Sequence, residues 1–217
     1  MLALIFDFDG LIMDTETHQY ETLQDLFAEY NSVLPLEIWQ QEIGTSTDFS
    51  IIDYLAEQTQ QKHDEQEFYT LLKERFQQRL AAETARPGVE EYLKQARDRG
   101  FKIGVASSSN YEWVSTHLKH LGLFDFFQCI QTSDDVEKVK PDPALYLQTA
   151  ACLSVNPEDC LVFEDSANGA LAAKNAGMAC VIVPNKVTAD LPFCEVKHRL
   201  DSMADMPLQV LLDTIKH

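Results

Sequence analysis

The chain has 217 residues, of which 45% are hydrophobic, and its formal net charge is −18. This length suits one large domain or a core domain with a smaller insertion, and the apolar content argues against disorder. The acidic charge argues against nucleic acids and anionic membranes as partners, because both attract basic surfaces. We expect a monomer with no nucleic-acid or membrane partner.

The five cysteines are well separated along the chain, which does not support a zinc knuckle or a thiol redox motif. They are Cys129, Cys152, Cys160, Cys180 and Cys194. The opening apolar run is cut by Asp7 and lacks a basic flank, so it does not resemble a signal peptide. We therefore expect a cytoplasmic protein whose cysteines are small buried apolar residues.

The first part of the chain combines a buried strand with two carboxylates. Residues 2–8, LALIFDF, predict the strand, and Asp7 and Asp9 stand two residues apart at its end. Gly10 then allows a sharp turn. Residues 16–82 carry amphipathic helical patterns and no convincing strand, so they predict a helical insertion after the first strand.

From residue 83 the chain alternates between strand and helix patterns. Four apolar runs of strand length join the first strand, at residues 101–107, 127–132, 160–164 and 179–184. Helical patterns lie before or between them, at residues 88–100, 111–122, 143–153 and 167–177. We expect Ser109 to cap the helix that begins at Tyr111.

This alternation predicts an α/β fold, with a Rossmann-like parallel sheet flanked by helices and an inserted all-helical cap domain. Residues 1–15 and 83–217 are expected to form the core domain. Residues 16–82 are expected to form the cap domain. Pro87 and Gly88 mark the place where the chain returns to the core.

The carboxyl ends of two predicted strands carry acidic pairs. In open α/β sheets, ligands bind beyond the carboxyl ends of the strands. The first strand ends in Asp7 and Asp9, and a later strand ends in Glu164 and Asp165. Paired carboxylates next to aromatic side chains are costly to bury, and a metal ion between them compensates for that cost.

Two further motifs indicate a phosphate at the same edge of the sheet. Ser107 ends a predicted strand and is followed by Ser108 and the start of a helix, an arrangement that favours an anion. Lys140 precedes another helix, although the nearby Lys138 could serve instead. Taken singly, each residue could equally be a loop, cap or surface residue. Together they indicate a magnesium-and-phosphate site.

Four segments resemble the successive motifs of the haloacid dehalogenase superfamily: DFDGLIMDTE, VASSSN, KPDP and FEDSANGALAAKNAGM. More closely, they resemble its branch of β-phosphoglucomutase-like and sugar-phosphate phosphatases. The resemblance covers essentially the whole chain, and the predicted helical insertion lies where that branch carries its cap. The resemblance implies an aspartyl-phosphate mechanism with Mg²⁺ as the cofactor.

The resemblance also implies a role for each site residue. Asp7 would be the nucleophile and Asp9 the general acid and base, while Lys140 would neutralise charge on Asp7 and on the phosphoryl group. Ser107 and the amide of Ser108 would bind phosphoryl oxygens. The implied metal ligands are Asp7, the main-chain oxygen of Asp9, Asp165 and, directly or through water, Glu164.

The choice between a phosphatase and a mutase depends on the cap. Residues 1–61 contain twelve acidic residues, and the first lysine or arginine is Lys62. In related mutases an arginine of a cap loop binds the second phosphate, and Thr47 stands near that position here. We therefore expect Thr47 to bind the substrate, a monophosphate ester of a neutral sugar or polyol. A β-phosphoglucomutase-type mutase is the alternative.

Other polar residues near the cap have structural interpretations. We expect Trp39 in the core of the cap, His18 near its hinge, and Asp14 and Thr15 bracing the turn that carries Asp9. A non-catalytic protein that has kept the fold is a further possibility. A binding role alone would not need the complete set of site residues.

Overall fold

Short apolar runs form a six-stranded parallel sheet in the computed structural model, which describes residues 1–45 and 48–215. The strands are β1 (Ala3–Phe6), β2 (Lys102–Ala106), β3 (Cys129–Gln131), β4 (Cys160–Glu164), β5 (Ala179–Ile182) and β6 (His198–Arg199). Their order is β3-β2-β1-β4-β5-β6. The five predicted strands are confirmed to within two residues at each end. The edge strand β6 was missed because two residues carry no hydrophobic period.

Helices fill the connections and cover both faces of the sheet. Within residues 1–45 and 48–215 they are α1 (Thr15–Glu29), α2 (Leu36–Trp39), α3 (Ile51–Thr59), α4 (Glu65–Leu80), α5 (Val89–Asp98), α6 (Tyr111–His120), α7 (Ala144–Cys152), α8 (Ala167–Asn175) and α9 (Leu208–Thr214). The predicted α/β class is confirmed, with four helices inserted between β1 and α5. Among the described residues, no helix has the length and apolar character needed to cross a membrane.

The alternation of side chains along β1 divides the core into two layers. Leu4 and Phe6 belong to a cluster on one face of the sheet, where Phe6 stacks on Phe163 of β4 at 4.9 Å between ring centroids. Ala3 and Ile5 belong to the cluster on the other face. β1 is packed by apolar side chains on both faces. This packing fixes the position of the polar residues that follow its carboxyl end.

The inserted helices α1–α4 pack around a separate apolar cluster. Leu23 and Phe27 of α1 meet Trp39, Leu55 and Phe68 there, so the expected position of Trp39 in the core of the insertion is confirmed. The insertion therefore has an apolar interior of its own.

Several polar contacts connect the insertion to the sheet domain. His18, near the start of α1, contacts Glu83 in the returning segment, with 2.6 Å between Nε2 and Oε2. The loop after α2 contacts the sheet domain through two main-chain oxygens, because the Ser108 hydroxyl donates to Gly44 and the Asn168 amide donates to Ile43. These contacts hold the insertion over the carboxyl edge of the sheet.

The cysteines differ from expectation in one respect. Cys129 of β3 and Cys152 of α7 form a disulfide, where the sequence predicted small buried apolar residues. The two lie 23 residues apart and meet because α7 packs against β3, which no local spacing pattern reveals. Cys160 and Cys180 are free and buried, as expected, and Cys194 is half-buried.

Candidate active site

The strand order brings the predicted site residues to one point on the sheet edge. After β1 the chain builds β2 and β3 on one side, and β4 to β6 then extend the sheet on the other side of β1. Ligands bind at such a switch point in open α/β sheets. Asp7 follows β1, Glu164 ends β4, and Lys140 enters from the loop before α7. These three side chains are in direct contact.

Lys140 lies buried between the two carboxylates. Its Nζ donates to Asp7 Oδ1 at 2.5 Å and to Glu164 Oε1 at 2.7 Å. Burial alone lowers the pKa of Lys140, but the charges of Asp7 and Glu164 outweigh burial and raise it. Lys140 therefore places its positive charge between the two carboxylates, whereas Lys138 is exposed on the surface.

Glu164 is saturated with hydrogen bonds. Its Oε1 accepts from Lys140 and from the hydroxyl of Tyr146, at 2.7 and 2.6 Å. Its Oε2 accepts from the main-chain N–H groups of Asp165 and Ser166 and from the Ser166 hydroxyl, each at 3.0 Å. A carboxylate has about four lone-pair sites, so five donors leave no spare acceptor. Direct metal ligation by Glu164 would require the release of one of these bonds.

The α8 helix approaches Glu164 closely at Gly169. A Cβ atom at Gly169 would lie 1.7 Å from Glu164 Oε1, so any side chain there would displace the carboxylate. The hydroxyl of Ser166 also caps α8, because it accepts from the N–H of Gly169 at 3.0 Å. The sequence motif that follows β4 therefore serves to pack a helix against a buried carboxylate.

Asp165 presents an unsatisfied carboxylate oxygen. Its Oδ2 accepts from Asn185 Nδ2 at 2.7 Å, but its buried Oδ1 has no hydrogen-bond partner. Carboxylate oxygens of Asp7, Glu164 and Asp165 lie within 4.8 Å of one another. Burial and the Glu164 charge raise the pKa of Asp165 well above its ordinary value. A divalent cation fits this group, because it would satisfy the free oxygen and offset the crowded negative charge.

The pKa of Asp7 is raised for the same reasons as that of Asp165. Burial first, and then the charge of Glu164, raise its pKa to about 8, while the Lys140 charge acts in the opposite direction. Lys140 contacts only the Oδ1 atom of Asp7. The Oδ2 atom takes part in none of the hydrogen bonds found among the described residues. Asp7 thus has one oxygen held and one oxygen available.

Asp9 accepts four hydrogen bonds from three parts of the chain. Its Oδ1 accepts from the Thr15 hydroxyl at 2.9 Å and from Trp113 Nε1 at 2.8 Å. Its Oδ2 accepts from the hydroxyls of Ser109 at 2.6 Å and Ser107 at 3.4 Å. The predicted bracing by Thr15 is confirmed, since its hydroxyl binds the carboxylate directly.

The predicted cap of α6 is wrong. Asn110, not Ser109, is the N-cap, and its side chain accepts from the N–H of Trp113 at 2.8 Å. The helix begins one residue later than a Ser109 cap requires, which frees the Ser109 hydroxyl to bind Asp9. The same start turns Trp113, on the first turn of α6, toward the site. Sequence reasoning missed both contacts, because a serine before a helix is the usual capping signal.

Residues distant in sequence fix the turn that follows Asp9. Gly10 has φ +78°, and a Cβ atom there would lie 2.2 Å from Asp165 Oδ2, so glycine is required on both grounds. Arg86 donates to the Gly10 oxygen at 2.5 Å and to the Val183 oxygen at 2.8 Å. Asp14 caps α1, because it accepts from the N–H of Thr17 at 3.1 Å.

The two predicted phosphate-binding serines lie at the carboxyl end of β2. Ser107 is fully buried, and its hydroxyl oxygen accepts from the N–H of Ser109 at 3.0 Å. Ser108 donates through its hydroxyl to the main-chain oxygen of Gly44, at 3.3 Å. Both serines line the cavity described next. Thr47, the predicted substrate-binding residue of the insertion, lies outside the described residues.

A cavity of about 470 Å³ opens above these groups, between the sheet edge and the inserted helices. Its floor includes Asp7, Asp9, Ser107 and Lys140. Its roof comes from the insertion, through Glu16, Gln19, Trp39, Phe49, Ile51, Tyr69 and Phe76, among others. This volume is typical of a small-molecule site.

Comparison with known proteins agrees with this geometry. The sequence model described as "Haloacid dehalogenase-like hydrolase" matches residues 4–183. The "Putative phosphatase YhcW" of Bacillus subtilis is 60% identical over 211 residues, covering 97% of this chain and 96% of that protein. The "Phosphorylated carbohydrates phosphatase" of Thermotoga maritima is 31% identical over 189 residues, covering 82% of each.

A solved structure shows the same fold. The crystal structure of the β-phosphoglucomutase from Clostridium difficile superposes with a TM-score of 0.75 and 25% identity. The superposition covers 100% of this chain and 97% of that one. The described sheet and inserted helices are therefore an architecture that this chain shares with a β-phosphoglucomutase.

Proposed function

The chain belongs to the haloacid dehalogenase-like hydrolase family, and on this basis we propose a magnesium-dependent phosphatase that hydrolyses sugar or polyol monophosphates. One observation carries the proposal. Two carboxylates two residues apart, Asp7 and Asp9, have different partners: Asp7 pairs with a buried lysine, and Asp9 accepts only from hydroxyls and an indole. A nucleophile and an acid–base group need such different surroundings.

Asp7 is the nucleophile in this proposal. Its free carboxylate oxygen attacks phosphorus, the bond from phosphorus to the leaving oxygen breaks, and an aspartyl phosphate forms. Lys140 holds the other oxygen at 2.5 Å and so fixes the direction of attack. Glu164 accepts a hydrogen bond from Lys140 and another from the Tyr146 hydroxyl, and these bonds keep Lys140 in place.

Asp9 transfers the proton. It protonates the leaving oxygen in the first step and takes a proton from the attacking water in the second, which releases phosphate. Ser109 and Ser107 support both states of Asp9, because a hydroxyl can donate to a carboxylate or accept from a carboxylic acid. Ser107 and the amide of Ser108 bind the phosphoryl oxygens.

Asp7, the main-chain oxygen of Asp9 and Asp165 would hold Mg²⁺, with Glu164 acting through its hydrogen bonds or through water. The unpartnered Oδ1 of Asp165 supports this assignment. A divalent cation bound there supplies charge that neutralises the phosphoryl oxygens during transfer.

The roof favours hydrolysis over the mutase alternative. A mutase must hold the second phosphate of a bisphosphate, which calls for a cation on the cap side. Among the described residues that line the cavity, Lys140 is the only basic one, and it lies on the floor. Arg75 and Arg79 of α4 instead pair with acidic residues of α1. We also propose residues 16–82 as a cap domain that closes over the core of residues 1–15 and 83–217.

Release of phosphate from p-nitrophenyl phosphate in the presence of MgCl₂ tests the proposal. Asp7→Asn should reduce the rate to background, whereas Asp98→Asn, the same change at an exposed position, should leave it unaltered. Full activity of Asp7→Asn would rule out the assigned nucleophile. Conversion of glucose 1-phosphate into glucose 6-phosphate, stimulated by a bisphosphate and without phosphate release, would establish the mutase instead.

A further inference from the structure

The loop that follows β5 contacts two different parts of the molecule. It comprises residues 185–188, NKVT. At its start, Asn185 is buried, and its Nδ2 donates to Asp165 Oδ2 at 2.7 Å and to the Gly10 oxygen at 3.3 Å. Two residues later, Val187 is 1% exposed and belongs to the apolar cluster of the inserted helices. One short loop of the sheet domain therefore contacts both the group of carboxylates and the interior of the insertion.

The side-chain amide of Asn185 connects these two contacts. While Nδ2 donates to Asp165, Oδ1 accepts from the main-chain N–H groups of Val187 and Thr188, at 3.0 and 3.1 Å. Two oxygens face Nδ2 and two N–H groups face Oδ1, so the hydrogen bonds fix the orientation of the amide. The Thr188 hydroxyl also accepts from the Asn185 N–H at 2.9 Å. A shift of Val187 relative to Asp165 would therefore break at least one of these bonds.

The insertion holds the other side of the same loop. Gln40, which follows α2, donates through Nε2 to the Val187 oxygen at 2.8 Å. Lys186 Nζ contacts Glu21 Oε1 of α1 at 2.8 Å, although Lys186 is exposed and such a pair contributes little. Separation of the insertion from the sheet domain would expose the Val187 side chain to water and break the bond from Gln40. Both contacts therefore favour a seated insertion, that is, one packed against the sheet domain.

The contact with Asn185 also determines which oxygen of Asp165 is available to a cation. The Asn185 amide occupies Oδ2, and the buried Oδ1 has no hydrogen-bond partner. A hydrogen bond of this kind orients a carboxylate that binds a metal, and its loss lowers the affinity for the metal. Asn185 is therefore a positioning residue for the proposed Mg²⁺ site, although it does not face the phosphoryl group.

We propose that the loop of residues 185–188 couples the binding of Mg²⁺ to the seating of the insertion. Asn185 positions Asp165 for the cation, and Val187 packs into the insertion. This inference rests on the proposed function, because it requires the metal site of Asp7 and Asp165. A cation bound to Asp165 stabilises the contact with Asn185 and, through its amide, the position of Val187. Coupling is reciprocal, so a seated insertion raises the affinity for Mg²⁺ by the factor by which Mg²⁺ favours seating.

Isothermal titration calorimetry of the full chain with MgCl₂ tests the coupling without a substrate. Asn185→Ala removes the connecting amide. Val187→Ala removes two methyl groups from the cluster of the insertion and leaves every polar group around the carboxylates in place. Val155→Ala is the matched control, because Val155 packs against the sheet domain where the chain enters β4, at the opposite end of that strand from Asp165.

Asn185→Ala should raise the Kd for Mg²⁺ about 10- to 100-fold, the usual effect of removing a residue that orients a metal ligand. Val187→Ala should raise the Kd about fivefold, because it lowers the population of the seated state, which binds Mg²⁺ more tightly. Val155→Ala should change the Kd by less than about twofold, since its loss of packing lies within the sheet domain.

Amide hydrogen exchange of α2 measures the reciprocal effect. Saturating Mg²⁺ should slow exchange in α2 of the wild type, because the seated insertion keeps Gln40 on the Val187 oxygen. In Asn185→Ala, Mg²⁺ at a concentration that saturates the variant should leave the exchange of α2 unaltered, because the connecting amide is gone. Exchange in α9 of the sheet domain is the internal reference.

Two results would overturn the coupling. One is an unaltered Kd for Mg²⁺ in folded Val187→Ala, and the other is an equal slowing of α2 exchange in the wild type and in Asn185→Ala. Either result leaves the proposed phosphatase standing, since the wild type would still bind Mg²⁺ and hydrolyse p-nitrophenyl phosphate. A wild type that binds no Mg²⁺ would also overturn the coupling, and one that in addition releases no phosphate would overturn the proposed function.

Discussion

On the floor of the cavity, Glu164 accepts five hydrogen bonds, Asp9 accepts four, and Lys140 donates to two carboxylates. On the roof, Trp39, Glu16 and Gln19 line the same space, and the Trp39 indole N–H is buried without a partner. Glu164, Asp9 and Lys140 on the floor thus have more hydrogen-bond partners than Trp39, Glu16 and Gln19 on the roof. The floor holds its groups rigidly before any ligand arrives, as the electrostatic stabilisation of phosphoryl transfer requires.

The difference teaches where chemistry and specificity reside. A phosphoryl group is the same in every substrate, so its binding groups can be fixed in advance by their neighbours. A leaving group varies, and the groups that recognise it must keep their hydrogen-bonding capacity for the ligand. Glu16 and Gln19 of α1 and Trp39 of α2 line the roof from elements that do not belong to the sheet. Substitutions on the floor and on the roof should therefore change the kinetic constants in different ways.

Removal of Lys140 should have the largest effect. Lys140→Met would leave Asp7 and Glu164 buried without their cation, so we expect phosphatase activity to fall about 10³-fold or more. The free energy of unfolding should fall by about 3–5 kcal/mol, the usual cost of breaking a buried ion pair. Phosphate release and urea denaturation measure the two effects.

Lys138→Met is the matched control, because Lys138 is exposed two residues away. It should change the free energy of unfolding by less than about 0.5 kcal/mol and leave activity intact. If both variants lost activity equally, the assignment of Lys140 to the floor would be wrong.

Stability should depend on Mg²⁺ and pH together. The folded-state pKa of Asp7 is raised from 3.8 to about 8, so between those values the metal-free folded chain binds more protons than the unfolded chain. Its stability should therefore fall as pH rises through that window. Bound Mg²⁺ should reverse the trend, because protons and metal compete for the same carboxylates.

We expect saturating Mg²⁺, at about 100 times its Kd, to raise Tm by about 5–10 °C at pH 8 and by much less at pH 5.5. Thermal unfolding followed by circular dichroism, with and without Mg²⁺, measures both values. Asp165→Asn should abolish the Mg²⁺ effect at pH 8. An equal rise at both pH values would contradict a metal site built on Asp7 and Asp165.

The sequence predicted the floor better than the roof, for physical reasons. Asp7, Glu164 and Ser107 are tied to the ends of buried strands, so hydrophobic pattern and sheet topology together locate them. The motif resemblance selected Lys140 with Lys138 left as an alternative, and the structure shows that only Lys140 is buried although both lie in one loop.

The missed residues reach the site through tertiary packing. Trp113 belongs to the first turn of α6 and Tyr146 to α7, and their polar atoms contact Asp9 and Glu164 across the chain. Each also fits the apolar pattern of its own helix, so the pattern gives no reason to expect a polar role. Trp39 shows a related ambiguity, because it belongs to the apolar cluster of the insertion and also lines the cavity.

The Trp113 indole offers the sharpest test of the difference between floor and roof. Trp113→Phe removes the donor to Asp9 Oδ1, a hydrogen bond to a charged group worth about 1.5–3 kcal/mol. We expect kcat to fall about 10- to 100-fold, and by the same factor for sorbitol 6-phosphate and phenyl phosphate. Trp39→Phe, the identical change on the roof, is the control. If Trp113→Phe instead altered the ratio of kcat between the two esters, the distinction between floor and roof would be wrong.

The smallest effect should come from the contact that seats the roof on the floor. Asn168, at the start of α8, donates to the main-chain oxygen of Ile43 at 2.9 Å and thereby holds the loop after α2 against the sheet domain. Asn168→Ala removes one neutral hydrogen bond, worth about 1 kcal/mol, without touching any group proposed to react. We expect KM for sorbitol 6-phosphate to rise about fivefold at nearly constant kcat, because the closed arrangement becomes less populated while its chemistry is unaltered. Asn175→Ala, on the same helix, removes an amide whose contact with Pro141 stays within the sheet domain, and it should leave KM unaltered. A fall in kcat with constant KM would mean that Asn168 acts on the floor, because seating the roof affects only how often the closed site forms.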